Sequence, residues 1–125
     1  MSFKLICGKT RAGKTTYSQR YEKVIHLDDY GGEFCYQGVL KVVADRHDDI
    51  VVEGIYNTAE RRMALLNAYK GQGERVCIWL DTPLEIIKSR IHSRWRERCL
   101  SMPFEPPTYD EGWDEIVVIK GEDDG

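Results

Sequence analysis

One segment of the chain combines glycine, lysine and hydroxyl residues at a spacing that can bind phosphate. It runs from Gly8 to Thr15, reads Gly-Lys-Thr-Arg-Ala-Gly-Lys-Thr, and follows an apolar run that ends at Cys7. Glycines let a backbone turn tightly and approach phosphate oxygens, and the loop amides converge on the β-phosphate where the next helix begins. Lys14 is placed to supply a charge to the β- and γ-phosphates, and the hydroxyl of Thr15 suits Mg²⁺. The segment therefore predicts a phosphate-binding P-loop that holds a nucleoside triphosphate or diphosphate, with Mg²⁺ at Thr15.

The predicted nucleotide site includes every residue of this loop and the threonine after it. With Thr15 as the Mg²⁺ ligand, the set is Gly8, Lys9, Thr10, Arg11, Ala12, Gly13, Lys14, Thr15 and Thr16.

Two acidic side chains follow predicted strands. Asp28 follows the strand expected at residues 24–27, and Glu53 ends the buried strand that begins at residue 50. Ligands of open α/β sheets bind beyond these strand ends. A kinase needs a carboxylate that orients the acceptor hydroxyl and takes its proton, which makes Asp28 the candidate general base, although a turn or capping aspartate is the alternative. Glu53 could orient Mg²⁺-bound water or the acceptor, or it could pair with Lys14 or an arginine.

Several arginines lie on predicted helices. Arg90 and Arg94 are four residues apart and share a helix face, where they could stabilise charge on a transferred phosphoryl group. A solvated charged face is the alternative reading of this pair. The adjacent residues Arg61 and Arg62 could bind an anionic acceptor, but such side chains on a helix surface are more often solvated. Solvent exposure is also expected for Arg96 and Arg98.

Alternating strands and helices must position these side chains. Strands are predicted at residues 3–7, 24–27, 50–53, 76–80 and 115–120, and helices at 15–22, 36–44, 58–69 and from Pro83 onward. This alternation implies right-handed crossovers and a parallel sheet with helices on both faces. The predicted class is α/β, a three-layer α/β/α P-loop NTPase fold with strand order 2-3-1-4-5. One domain at residues 1–120 and a polar tail at 121–125 are expected.

Composition limits the possible functions. The 125 residues suit one domain, and the net charge of −3 provides no global basic field, so any nucleic-acid contact must be local. The four cysteines lack Cys-x-x-Cys spacing, and no signal peptide or long apolar run is present. These features predict a reducing, cytoplasmic location without a membrane span. The three histidines are scattered and predict no metal site.

The order of these motifs resembles the kinase domain of polynucleotide 5′-kinases of the phage type, within the wider AAA-type P-loop kinase group. The resemblance is carried by residues 8–16, 25–30, 51–62 and 81–94, and residues 104–116 are similar to a stretch near the end of such domains. It implies transfer of the γ-phosphoryl group of ATP to a 5′-hydroxyl of nucleic acid. A single-stranded or duplex nucleic-acid end would be the partner.

The resemblance also implies roles for individual residues. Asp28 would be the general base, Lys14 would act on the ATP phosphates, and Arg94 with Arg90 would be the lid arginines. Glu53, Asp29 and Asn57 would bind the acceptor. Gly31 stands where the family usually has an arginine that contacts the acceptor phosphate. A small-molecule, nucleoside or nucleotide kinase therefore remains an alternative, as does a nucleotide-binding protein with little turnover.

Overall fold

A five-stranded parallel sheet forms the centre of the molecule. The structure, a computed structural model, describes residues 2–9, 11–30, 35–46, 48–90 and 103–120. The strands are β1 (Ser2–Gly8), β2 (Ile25–His26), β3 (Ile50–Gly54), β4 (Glu74–Leu80) and β5 (Glu115–Ile119). Their order is β2-β3-β1-β4-β5, and every pair is parallel. The predicted α/β class and strand order are confirmed for a single small domain, while the tail at 121–125 lies outside the described residues.

Helices follow the strands in the predicted alternation. They are α1 (Lys14–Ser18), α2 (Cys35–Ala44), α3 (Ala59–Ala68) and α4 (Leu84–Arg90), with 3₁₀ turns at Leu27–Tyr30 and Tyr109–Glu111. Across the described ranges, no helix has the length and apolar character needed to cross a membrane. Thr58 caps α3, since its Oγ1 accepts from the Arg61 amide.

The first helix is shorter than predicted. The sequence indicated residues 15–22, but α1 ends at Ser18. The Ser18 hydroxyl donates to the Thr15 carbonyl at 2.7 Å, and the amides of Gln19 to Tyr21 bond to carbonyls three residues earlier. Hydroxyl back-bonding and 3₁₀-type bonds of this kind tighten a turn and end a short helix. The predicted second strand is also shorter, because Leu27 already begins a 3₁₀ turn.

Both faces of the sheet are covered. Phe3, Leu5 and Cys7 of β1 belong to one buried cluster, which also contains apolar residues of α2 and α3. Ile6 belongs to a second cluster, against which Tyr17 of α1 packs. Successive strand residues point to opposite faces, so a parallel strand with helices on both sides is apolar at nearly every position.

A buried ion pair joins α3 to the segment before β5. The Arg62 guanidinium donates from Nε to Glu111 Oε1 at 2.8 Å and from Nη2 to Oε2 at 3.0 Å. Its Nη1 donates to the Tyr56 carbonyl at 2.8 Å, and the Trp113 indole donates to Glu111. The expectation that Arg62 is solvated was wrong, because its side chain is fully buried. The sequence around Arg62 does not show that this arginine is buried, because the carboxylate that binds it belongs to Glu111, 49 residues away.

Candidate functional site

Residues 8–15, here named the glycine loop, connect β1 to α1. A Cβ on Gly8 would lie 2.9 Å from the Leu80 carbonyl oxygen, so β4 leaves no room for a side chain there. Gly13 has φ of 104° and Arg11 has φ of 65°, both in the left-handed region that glycine adopts most easily. The Ala12 amide bonds to the Lys9 carbonyl at 3.0 Å, which closes a tight turn. Thr10 lies outside the described residues.

Thr82 fixes the glycine loop from the neighbouring strand. Its Oγ1 donates to the Ala12 carbonyl at 2.7 Å, and the side chain is buried. The sequence indicated only that Thr82 precedes a helix at Pro83. Its position directly beyond the carboxyl end of β4 was the available signal, because β4 pairs with the strand that leads into the loop.

The Lys14 side chain is buried inside the site. Its Nζ donates to the Lys9 carbonyl at 2.7 Å, and only 8% of the residue is exposed. Burial lowers the pKa of the Lys14 ammonium, while the carboxylates of Glu53 and Asp28 oppose that decrease. The carboxyl ends of β1, β2 and β3 thus bring one ammonium group and two carboxylates into electrostatic contact.

Glu53 has a histidine partner that the sequence did not indicate. Glu53 is buried at the end of β3, and its Oε2 lies 3.1 Å from Nδ1 of His26. The two residues are direct register partners on the parallel strands β2 and β3. A pair with Lys14 was one of the alternatives for Glu53, but the observed partner is His26. The Glu53 carboxylate instead acts to raise the pKa of Lys14 through its charge. The strand register was the signal that could have identified His26.

Asp28 and Asp29 are presented to solvent by a short turn. Both lie in the 3₁₀ turn at Leu27–Tyr30 and are exposed, whereas Leu27 is buried in the core. The Leu27 side chain fills the space beside Gly54, where an added Cβ would lie 2.7 Å from Leu27 Cβ. The buried leucine thus anchors the turn, and the Asp28 side chain remains accessible to solvent.

Arg90 reaches the glycine loop from α4. Its Nη1 donates to the Arg11 carbonyl at 2.9 Å, and a Cβ on Gly13 would lie 3.6 Å from the same nitrogen. The structure therefore places one predicted lid arginine against the loop. Arg94, Arg96 and Arg98 lie outside the described residues.

Asn57 holds the segment that precedes β5. Its Nδ2 donates to the Pro103 carbonyl at 3.0 Å, and its own carbonyl accepts from the Glu105 amide at 2.8 Å. The Asn57 Oδ1 accepts from Arg61, whose guanidinium also lies 4.1 Å from the centroid of the Tyr36 ring. Asn57 therefore has a structural role, and its predicted acceptor contact stays a prediction.

Thr15, predicted to bind Mg²⁺, and Thr16, predicted to bind the nucleotide, are at the surface. Thr15 and Thr16 are exposed, and within the described ranges no three His, Cys, Asp or Glu residues group as a metal site. Mg²⁺ usually keeps several waters and binds through one or two carboxylates with substrate phosphates. An exposed Thr15 hydroxyl is compatible with that mode of binding.

The chain was compared with protein-family models and with curated proteins, and neither comparison found a match. The functional assignment therefore depends on the glycine loop, its buried lysine, the two acids and Arg90.

Proposed function

We propose that this protein is an ATP-dependent kinase that transfers the γ-phosphoryl group to an acceptor hydroxyl. The acceptor that we propose is a 5′-hydroxyl of nucleic acid. One observation carries the proposal: a buried ammonium, two carboxylates and a guanidinium converge on one glycine loop. Lys14 and Arg90 both contact backbone carbonyls of the loop, and Asp28 and Glu53 act electrostatically on Lys14. Phosphoryl transfer requires cations at the phosphates and a carboxylate at the acceptor.

The glycine loop suits a triphosphate. Gly8 has no clearance for a side chain and Gly13 has a left-handed backbone, and neither glycine carries a side chain that could cover the loop amides. Because α1 has only five residues, we attribute phosphate binding to these amides and to Lys14 more than to a helix dipole. ATP would supply the phosphoryl group, with Thr15 holding Mg²⁺ that neutralises its charge.

Asp28 is suited to orient the acceptor. Its carboxylate is exposed yet close enough to influence the pKa of Lys14. A general base in that position can accept the proton of a hydroxyl that approaches the terminal phosphate. Arg90 can stabilise charge on the phosphoryl oxygens, because its guanidinium already lies over the loop at Arg11.

The accessibility of Asp28 favours a large acceptor over a small enclosed one. Asp29 and Tyr30, which follow Asp28 in the same turn, are also exposed. The end of a nucleic-acid strand could reach such a base without being enclosed. The resemblance of the motif order to polynucleotide 5′-kinases supports the same acceptor.

A transfer assay with labelled ATP tests the proposal. We expect label on a 5′-hydroxyl oligonucleotide, at least about 100-fold less label with Asp28→Asn, and unchanged ATP binding by that variant. Asp45→Asn, an exposed aspartate at the end of α2, is the matched control and should retain activity. Lys14→Ala should abolish phosphate-dependent ATP binding.

Three results would contradict parts of the proposal. Label that appears only on nucleosides, nucleotides or other small acceptors would exclude the nucleic-acid substrate. ATP binding without transfer to any acceptor would indicate a nucleotide-binding protein with little turnover. Unchanged ATP affinity in Lys14→Ala would contradict the assignment of the loop itself.

A further inference from the structure

A cleft beside the glycine loop has no role in the transfer chemistry described above. It has a volume of about 260 Å³, and its lining includes Lys9, Trp79, Asp81, Leu84 and Phe104. This volume is below the range of about 300–1,000 Å³ that encloses a whole small ligand. The cleft, here named the Phe104 cleft, therefore suits a single ring system better than a complete nucleotide.

The Phe104 cleft lies at the end of the loop where a terminal phosphate would be held. Lys9 lines the cleft, and the Lys9 carbonyl accepts the hydrogen bond from the Lys14 ammonium. That ammonium is the group assigned to the β- and γ-phosphates. A molecule in the cleft would thus lie next to the segment of the loop to which the Lys14 ammonium and, on the proposed function, the phosphates are bound.

Two aromatic side chains form one wall. The rings of Trp79 and Phe104 are parallel within 6°, with centroids 5.9 Å apart, and both side chains are partly exposed. Because both residues line the cleft and are partly exposed, part of their ring surface is accessible from the cleft to a further flat ring. Nucleobases stack on such platforms whatever their identity.

The platform is fixed before any ligand binds. Asn57 bonds to the backbone on both sides of Phe104, at Pro103 and at Glu105. The guanidinium of buried Arg62 lies 5.8 Å from the Phe104 ring centroid. A side chain ordered in this way loses little conformational entropy on binding, so more of the stacking free energy appears as affinity.

A polar edge completes the cleft. Asp81 lines it, and the Oδ2 atom of its carboxylate accepts from Lys120. An ionised carboxylate has about four acceptor sites on its two oxygens, so the same group can also accept from a ring N–H or an exocyclic amine. Nucleobases carry both the flat face and these donors.

On the basis of the proposed kinase function, we propose that the Phe104 cleft binds the base of the acceptor's terminal nucleotide. Phe104 and Trp79 stack on the base, and Asp81 accepts from its edge. The kinase thereby distinguishes a nucleotide end from other primary hydroxyls by stacking.

Two 5′-hydroxyl oligonucleotides test this assignment, one with a normal terminal base and one with an abasic residue at the same position. With wild-type protein, KM should be about 5- to 150-fold lower for the end that carries a base, the range that corresponds to stacking on one aromatic ring. Phe104→Leu should raise KM for that end and leave the abasic end and ATP unaffected. Phe104→Tyr should preserve the preference.

Tyr109→Leu is the matched control, because Tyr109 is an aromatic residue of the same segment, is 61% exposed and does not line the cleft. It should preserve the preference for a base. Equal KM values for the two ends in the wild type would overturn the inference while the kinase proposal stands. A higher KM for ATP in Phe104→Leu would assign the cleft to adenine instead. Transfer to neither end would contradict both proposals.

Discussion

Two buried cations in this molecule differ in how completely the surrounding residues pair their charge. Arg62 is fully buried, and its guanidinium is bound by both oxygens of Glu111 and by the Tyr56 carbonyl. Lys14 is also buried, but its ammonium bonds to a backbone carbonyl, and the nearby carboxylates act on it only electrostatically. A buried charge with a full set of partners belongs to the structure, whereas one with weaker partners suits a ligand that brings its own charge.

The pKa shifts of the two cations show the same difference. Burial opposes the charged form of Arg62, but the hydrogen bonds that it donates to the Glu111 carboxylate still raise its pKa. Burial lowers the pKa of Lys14 in spite of Glu53 and Asp28. The folded state thus favours the charge on Arg62 and disfavours the charge on Lys14. Substitutions at the two sites should therefore change stability in opposite directions.

The largest expected effect is a loss of stability when Arg62 is replaced. Arg62→Met should lower the free energy of unfolding by about 3–5 kcal/mol, because it leaves the Glu111 carboxylate buried without its cation. Chemical denaturation measured by circular dichroism gives the value. If the variant is too unstable to purify, the fraction folded can be compared in cell extracts by limited proteolysis.

Two further variants separate pairing from packing. The double variant Arg62→Met, Glu111→Gln should lose less stability than the sum of the two single variants, since no uncompensated charge remains. Arg61→Met, at the adjacent exposed arginine, should change stability by no more than about 1 kcal/mol. Equal losses of unfolding free energy in Arg61→Met and Arg62→Met would contradict the structural role given to Arg62.

Replacement of Lys14 should have the opposite sign. Lys14→Met is expected to raise the free energy of unfolding by about 0.5–2 kcal/mol and to abolish ATP binding, as is common where a binding site costs stability. Its lowered pKa sets the sign, because a disfavoured ammonium destabilises the fold at neutral pH and its removal relieves that cost. Thermal denaturation without nucleotide and calorimetric titration with ATP measure the two effects. Lys23→Met, at an exposed lysine, is the control, and a lower Tm in Lys14→Met would contradict the comparison.

The smallest expected effect is a loss of stability at acidic pH. Burial disfavours ionised Glu111, but its hydrogen bonds with Arg62 and Trp113 hold its pKa below the usual range. A lowered carboxyl pKa contributes stability above the ordinary glutamate value of about 4.3 and loses that contribution as pH falls through the lowered value. Between pH 7 and acid, the wild type should lose on the order of 1 kcal/mol more than Glu111→Gln, because bonds to a charged acceptor exceed neutral ones by about that amount. Denaturant titrations at several pH values measure this, and parallel curves for the two proteins would contradict it.

Much of the fold could be predicted because its elements carry local signals. The apolar runs before Gly8, Glu53 and Asp81 predict the three central strands, and alternation with helical segments predicts parallel pairing. The ends of short elements could not be predicted. The hydroxyl of Ser18 ends α1, and the buried side chain of Leu27 begins a 3₁₀ turn where a strand was expected.

The residues of the candidate site could be predicted from the sequence, but their partners could not. Its loop and its two acids follow strand ends, which any sequence with this alternation must bring to one edge of the sheet. The partners of those residues could not be predicted. His26 beside Glu53, Thr82 beneath Ala12 and Arg90 over Arg11 all depend on strand register or on the packing of distant segments.

The sequence by itself determined the positions of the central strands and the residues of the glycine loop, because apolar periodicity and glycine spacing act over a few neighbouring positions. Only the tertiary structure decided which cation serves the fold and which serves the site. Arg62 meets a carboxylate 49 residues away, while Lys14 bonds to a carbonyl five residues away in its own loop. The free energy of a buried charge depends on the groups that surround it, and those groups come from segments that folding alone brings together.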